Sequence, residues 1–152
     1  MQPAYLTEQP LTNVMTMIEN LPKRILIVDD DTDILTLLKF QLRYTGWTIS
    51  TATDGAEALE LFLSTPFDLV LTDAMMPGMS GYDLARLVRT SEKGCSTPII
   101  MLSAILDTPD QLELAKDSGV DVYMTKPHDR RKLQEQINAL LESPPRRQVS
   151  TV

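Results

Sequence analysis

The sequence has little of what marks secreted, membrane-spanning or nucleic-acid-binding proteins. Its 152 residues include one cysteine, Cys95, which excludes an internal disulfide framework and favours a cytoplasmic location. No apolar run approaches the length that crosses a bilayer, and we see no secretory signal. A formal net charge of −7 argues against broad attraction to nucleic acid. We therefore expect neither a membrane span nor a nucleic-acid partner.

Prolines and apolar spacing divide the chain into three parts. Residues 1–22 contain three prolines, and apolar residues recur at helical spacing within 11–21, so an N-terminal extension with a short helix capped by Thr12 is predicted. We expect this helix to pack on the body or to be partly disordered; the alternative is that it docks on a partner or a second copy. Residues 23–142 have the pattern of one folded domain, and 143–152 form a polar C-terminal tail.

Five apolar runs alternate with five amphipathic segments in this domain. The runs predict strands β1 to β5 over residues 24–28, 47–52, 68–73, 98–103 and 120–125. Each connecting segment is long enough for a crossover helix, which favours an α/β fold with a parallel sheet and helices on both faces. The strand order 2-1-3-4-5, the flavodoxin-like arrangement, is a common solution and places β1 beside β3, where ligands bind.

Functional side chains end or follow four of these strands. The residues are Asp29, Asp30 and Asp31 after β1, Asp73 at the end of β3, Ser103 at the end of β4, and Lys126 after β5. Three carboxylates brought together raise at least one pKa unless a cation is present, and Mg²⁺ suits such an oxygen site. A metal, a lysine and a hydroxyl beside a carboxylate nucleophile are typical of phosphoryl transfer. Each residue alone is more typical of a cap, a turn or the surface, but their shared edge favours a functional site.

These stretches resemble the receiver domain of two-component response regulators, the fold shared with the chemotaxis regulator. The resemblance runs from about Lys23 to Glu142 and covers residues 27–31, 73–81, 103–104 and 126–127.

The resemblance implies that Asp73 accepts a phosphoryl group from the phosphohistidine of a sensor histidine kinase or a phosphotransfer protein. It implies a Mg²⁺ site formed by Asp30, Asp73 and the backbone carbonyl of Met75, with Asp29 acting through water. It also implies that Ser103 and Lys126 bind the phosphoryl oxygens.

The resemblance further implies a conformational switch. Tyr123 matches the aromatic residue that turns inward when Ser103 moves toward the phosphoryl group. The surface formed by β5 and the helices on either side of it then changes shape, as for any two-state equilibrium biased by a modification. This surface would bind a downstream protein or a second copy of the chain.

Three positions depart from the family's pattern or bear on its kinetics. His128, the only histidine, stands where the family usually has phenylalanine, and we expect it at the surface. Met75 and Ile105 occupy the positions, two past Asp73 and two past Ser103, that tune hydrolysis in the family. Since neither side chain can orient a water, we expect a phosphoacceptor that dephosphorylates itself slowly, not an enzyme with turnover.

Two other functions fit some of the same residues. A haloacid-dehalogenase-type phosphatase would use Asp29 and Asp31, but Asp33 occupies the place of its Thr or Val, and Asp73 would have no role. A receiver-like module could also bind partners without phosphorylation, although every acceptor residue is present. Steady turnover of a phosphomonoester would favour the phosphatase, and a partner affinity unchanged by Asp73→Asn would favour the binding module.

Overall fold

The computed structural model describes residues 9–104 and 108–145. Strands β1 to β5 are Arg24–Val28, Thr48–Ala52, Leu69–Asp73, Ile99–Ser103 and Val122–Thr125. Helices α1 to α6 are Gln9–Glu19, Thr32–Gln41, Gly55–Ser64, Gly81–Thr90, Pro109–Ser118 and Arg130–Glu142. None of the helices in these two ranges is long and apolar enough to cross a membrane.

The five strands form one parallel sheet in the order β2-β1-β3-β4-β5, which confirms the predicted fold. Four strands begin one or two residues later than predicted. Just before two of these strands, an aspartate side chain, rather than a backbone carbonyl, accepts a hydrogen bond from an amide of the neighbouring strand. Asp68 accepts from the Arg24 amide at 2.8 Å, and Asp121 accepts from the Ile99 amide at 2.8 Å.

Alternate strand residues face opposite sides of the sheet, so each side has its own core. One core packs β1 residues Ile25 and Ile27 against α2 and α6. The other packs Leu26 and Val28 against α3 and α4. The central strands are therefore buried on both faces, which explains their continuous apolar runs.

Side chains at the starts of α2 to α6 bond the first free amides of each helix. The capping residues are Asp31, Asp54, Ser80, Thr108 and Asp129. Each cap contributes about 1 kcal/mol to stability. Because each of these helices follows a parallel strand, the caps stand at the carboxyl edge of the sheet.

The N-terminal helix begins earlier than predicted and, of the predicted alternatives, does not pack on the body. It begins at Gln9, because proline is tolerated in the first turn of a helix, where Pro10 lies. Thr12 is therefore not the cap, and its carbonyl instead accepts from the Thr16 hydroxyl at 2.8 Å. Residues 11–23 are all exposed, so α1 does not pack into the body.

Arg89 fastens α4 to the amino ends of β4 and β5. Its guanidinium donates to the carbonyls of Gly94 and Gly119 and pairs with Asp121 at 3.0 Å. The Arg89 and Asp121 side chains are only 13% and 11% exposed. Removing the arginine would leave a largely buried carboxylate without its countercharge.

We predict that Arg89→Met lowers the free energy of unfolding by about 3 kcal/mol, the low end for breaking a buried pair. Arg86→Met on the same helix is the matched control. It removes an exposed pair with Asp83, at 3.3 Å, which should matter by less than about 1 kcal/mol. Urea denaturation measures both variants, and equal losses would contradict the assigned role of Arg89.

Candidate functional site

The strand register brings the ends of β1, β3, β4 and β5 to one level. Val28 pairs with Thr72, so the next residues, Asp29 and Asp73, lie side by side. Asp73 pairs with Leu102 in β4, and the following residue, Ser103, pairs with Thr125 in β5. All the strand ends singled out in the sequence therefore meet at the carboxyl edge of the sheet.

Three carboxylates converge at this edge. Asp29, Asp30 and Asp73 each offer an oxygen, and these oxygens lie within 4.8 Å of one another. Asp29 is buried, Asp73 is partly buried and Asp30 is exposed, so the cluster has one side in the protein and one in solvent. The Oδ1 oxygen of Asp29 accepts from the Asp31 amide at 2.9 Å, which fixes the orientation of this carboxylate.

Lys126 places a single positive charge among these acids. Its ammonium donates to Asp29 Oδ2 at 2.7 Å and lies 3.2 Å from Asp73 Oδ1. The Lys126 amide donates to the Ser103 carbonyl at 2.7 Å, which continues the sheet past β4 and β5 and holds the lysine in place. Three carboxylates and one ammonium leave two negative charges, which matches the charge and the ligand preference of Mg²⁺.

Burial and the surrounding charges together shift the pKa values of Asp73 and Lys126. Burial raises the pKa of Asp73, and Asp29 raises it further, while Lys126 and the Ala74 amide lower it without cancelling the increase. Burial lowers the pKa of Lys126, but its hydrogen bond to Asp29 and the charge of Asp73 outweigh burial and leave the pKa raised. The ammonium is thus firmly charged, whereas ionised Asp73 is under-compensated in the absence of a metal.

Ser103 and Tyr123 lie on adjacent strands behind the acids. Ser103 is 2% exposed. Tyr123 packs against a small cluster that includes Ala74 and Tyr82. Its hydroxyl is buried and interacts with the side chain of Tyr82; burial first, and Tyr123 second, raise the pKa of Tyr82 to about 12.

The positions that depart from the family's pattern have different surroundings. Met75 is 59% exposed, while Ile105 lies outside the described residues. His128, expected at the surface, is partly buried there, and its Nε2 lies 2.9 Å from Gln41 Oε1. Burial, and secondarily the charge of Lys126, lowers the pKa of His128.

The structure has an apolar groove beside Lys126 that we did not predict from the sequence. Its lining residues are Ile34, Leu37, Gln41, Ala104, Lys126, Pro127 and His128. Leu37 in α2 is a large apolar residue that stays exposed, which partly indicates a binding surface. Its proximity to the loop after β5 depends on the fold and has no local pattern in the sequence.

Residues 25–138 match the family described as the response regulator receiver domain. The chain belongs to this family. The match confirms the resemblance and does not favour the phosphatase. Asp31, which the phosphatase motif would require in the site, instead caps α2 by accepting from the Asp33 amide at 2.9 Å.

Curated relatives are similar over the receiver domain. The probable transcriptional regulator ycf27 of Cyanidium caldarium is 38% identical over 117 residues, which are 77% of this chain and 45% of that protein. The response regulator ArlR of Staphylococcus aureus is 33% identical over 129 residues, which are 85% of this chain and 57% of that protein. The chain thus spans about half the length of these relatives.

Solved receiver structures share the fold. The chemotaxis protein CheY4 of Vibrio cholerae is 29% identical with a TM-score of 0.74, covering 78% of this chain and 98% of that one. The receiver domain of the sensor histidine kinase PA1611 of Pseudomonas aeruginosa is 30% identical with a TM-score of 0.74, covering 80% and 99%. The PA1611 structure has a magnesium ion coordinated in its active-site cleft.

We predict that Asp73→Asn raises the free energy of unfolding at pH 7 without Mg²⁺. Folding raises the pKa of Asp73, so the folded protein favours the protonated carboxyl. This contribution to the free energy of unfolding is fully present below the pKa of aspartate in the unfolded chain, about 3.9. The contribution is lost as the pH rises through the pKa that Asp73 has in the folded protein. The asparagine amide in the Asp73→Asn variant does not ionise, so the variant does not lose this stability.

The advantage of the Asp73→Asn variant should therefore grow from about pH 4 upward and then level off. Urea denaturation across this range measures it. A variant that is less stable than the original protein at pH 7 would contradict the under-compensated state of Asp73.

Proposed function

We propose that this receiver domain is a phosphorylation-dependent switch whose acceptor is Asp73. The phosphoryl donor would be the phosphohistidine of a sensor histidine kinase or a phosphotransfer protein in the cytoplasm. The observation that carries the proposal is the Lys126 ammonium, which contacts both Asp29 and Asp73 while Asp30 joins the same cluster. A nucleophile, a set of metal-binding oxygens and a fixed positive charge thus share one pocket.

Mg²⁺ is the cation that fits this pocket. We assign Asp30 and Asp73 as ligands together with the backbone carbonyl of Met75, and Asp29 as a residue that acts through water. When bound there, Mg²⁺ would offset the negative charge of the transferring oxygens. The exposed Asp30 supports a partly hydrated ion, and the magnesium ion in the PA1611 receiver supports the choice of metal.

The chemical step is attack by an Asp73 carboxylate oxygen on phosphorus. The oxygen–phosphorus bond forms as the phosphorus–nitrogen bond of the donor breaks, and the electron pair of the broken bond stays on the donor imidazole. Lys126, held by Asp29, would remain beside the phosphoryl oxygens, and the Ser103 hydroxyl would donate to another of them.

The groove beside the pocket supports docking of the donor. It presents apolar side chains from α2, chiefly Ile34 and Leu37, and Lys126 is among its lining residues. A protein that covers these side chains would bring its phosphohistidine to the acidic cluster and exclude water from the transfer.

The signal would leave through the surface formed by α5, β5 and α6. We propose that Tyr123 takes a new position when Ser103 bonds the phosphoryl group, and that this surface then binds a downstream protein or a second copy. The place of Tyr123 supports this role, because it pairs with Met101 in β4 and packs in the same small cluster as Ala74, the residue after Asp73. Slow loss of the phosphoryl group would keep the signal, since the Met75 thioether beside Asp73 cannot orient a water.

Intact-mass measurement with a small-molecule phosphodonor and Mg²⁺ tests this function. We predict one phosphoryl group per chain, none in Asp73→Asn, and normal labelling in the matched control Asp110→Asn, which changes an exposed aspartate on α5. Omitting Mg²⁺ should suppress labelling because nothing then offsets the two excess negative charges.

Three results would count against the proposal. Labelling that survives Asp73→Asn would place the acceptor elsewhere. Steady release of phosphate from a phosphomonoester would indicate a phosphatase. A label that decays within seconds in the presence of Mg²⁺ would contradict slow hydrolysis.

A further inference from the structure

A cavity between α2 and α6 lies outside the acidic cluster. It has a volume of about 380 Å³, within the range of roughly 300 to 1,000 Å³ that is typical of small-molecule sites. Its walls are the end of α2, the loop before β2 and one side of α6. Neither the three clustered aspartates nor Lys126 contributes to its lining, so the proposed phosphotransfer does not use it.

Hydrogen bonds hold the walls of this cavity in place. The Gln134 amide nitrogen on α6 donates to the Gln41 carbonyl at the end of α2 at 3.1 Å, and the Gln41 side chain lies 2.9 Å from Nε2 of His128. In the loop before β2, the Trp47 amide donates to Thr45 Oγ1 at 3.3 Å, and Trp47 packs on the core that α2 and α6 share. The cavity is therefore largely formed before a ligand enters.

The lining of the cavity is positively charged, although the chain is acidic. Arg43 and Arg130 belong to the lining, and every other lining residue is uncharged. Neither guanidinium pairs with a carboxylate within residues 9–104 and 108–145. Arg130 is also the first residue of α6, where the positive end of the helix dipole adds to its charge. Two arginines without a countercharge favour an anionic ligand.

The carboxylate next to Arg130 does not supply this countercharge. Asp129 caps α6, and its Oδ1 accepts from the amides of Arg131 at 2.7 Å and Lys132 at 3.2 Å. Asp129 is not among the lining residues of the cavity.

Aromatic rings order the other arginine. The guanidinium carbon of Arg43 lies 3.6 Å from the centre of the Phe40 ring and 4.3 Å from that of the Tyr44 ring. Its Nη1 donates to the Phe40 carbonyl at 2.6 Å. An arginine side chain has five N–H donors, so this arrangement fixes the group and leaves donors for the oxygens of a phosphate.

The uncharged lining residues favour a ligand that carries a flat ring as well as a charge. Tyr44, which is 87% exposed, and Trp47 offer aromatic surface on which a nucleobase stacks. Asn138, one turn beyond Gln134 on α6, offers an amide whose donor and acceptor match the edge of an adenine.

We propose that this cavity binds a mononucleotide. Its phosphate would contact Arg43 and Arg130, and its base would lie against Tyr44 or Trp47. The net charge of −7 repels a polyanion, so the local positive charge selects a small anion rather than a nucleic acid. The proposal does not depend on the function proposed for Asp73.

Titration of the whole chain with adenosine monophosphate (AMP) tests the proposal. Trp47 is the only tryptophan, so its fluorescence reports on the cavity directly, and calorimetry measures the same binding independently. We predict one saturable site with a dissociation constant between about 10 µM and 1 mM. Adenosine, which lacks the phosphate, and ribose phosphate, which lacks the base, should each bind at least about tenfold more weakly. Asp73→Asn should bind AMP normally.

Arg130→Gln should raise the dissociation constant of AMP at least about tenfold, because a charge-assisted hydrogen bond to the phosphate is lost. Arg131→Gln is the matched control. It removes the same charge at the next position of α6, from an exposed residue that does not line the cavity, and should bind AMP nearly as well as the original protein. Circular dichroism and urea denaturation would show that both variants are folded.

The absence of a saturable signal at millimolar AMP would overturn the proposal. Equal binding of AMP by Arg130→Gln and Arg131→Gln would exclude the phosphate contact and overturn it as well. Inorganic phosphate or ribose phosphate that binds as tightly as AMP would show that the base has no role, which would contradict a nucleotide site.

Discussion

The Lys126 ammonium, placed between two carboxylates of a cluster of three, is the interaction on which this receiver domain depends. Its 2.7 Å hydrogen bond to Asp29 and its 3.2 Å contact with Asp73 offset part of the repulsion among the three carboxylates in the folded protein. Two negative charges remain uncompensated. Burial raises the pKa of Asp73, and the neighbouring charge of Asp29 adds to the increase. A pocket with an excess of negative charge favours a divalent cation, and we propose that the charge of Asp73 is fully compensated only when that cation is present.

The scaffold makes this arrangement possible by fixing the backbone on both sides of Asp73. Buried strands set the level at which Asp29 and Asp73 emerge, and capped helices follow, α2 from Thr32 and α4 from Gly81. Gly81 is part of the same constraint. A Cβ at this position would lie 2.0 Å from the Asp73 carbonyl oxygen, so only glycine allows α4 to start against the end of β3. The acidic cluster therefore stands on rigid elements rather than on a long loop, as a preorganised site requires.

The sequence predicts most of the fold because its local signals agree. Continuous apolar runs identify the strands, and caps such as Ser80 and Thr108 identify helix starts, so the sheet order and the meeting of Asp29, Asp73, Ser103 and Lys126 at one edge follow from topology. What the sequence does not predict is set by contacts between distant segments. The bond of His128 to Gln41 spans 87 positions, and the groove joins α2 to the loop after β5. No local pattern contains these contacts, and the roles assigned to the site residues stay predictions.

The most direct test of the central claim is the effect of Mg²⁺ on stability, measured by urea denaturation with and without the ion. If the folded acidic cluster alone binds Mg²⁺, a concentration about 100 times the dissociation constant should raise the free energy of unfolding by roughly 2.7 kcal/mol. Asp30→Asn removes an exposed ligand and should abolish this gain while leaving the metal-free stability nearly unchanged. No gain in the original protein, or an equal gain in Asp30→Asn, would contradict the account.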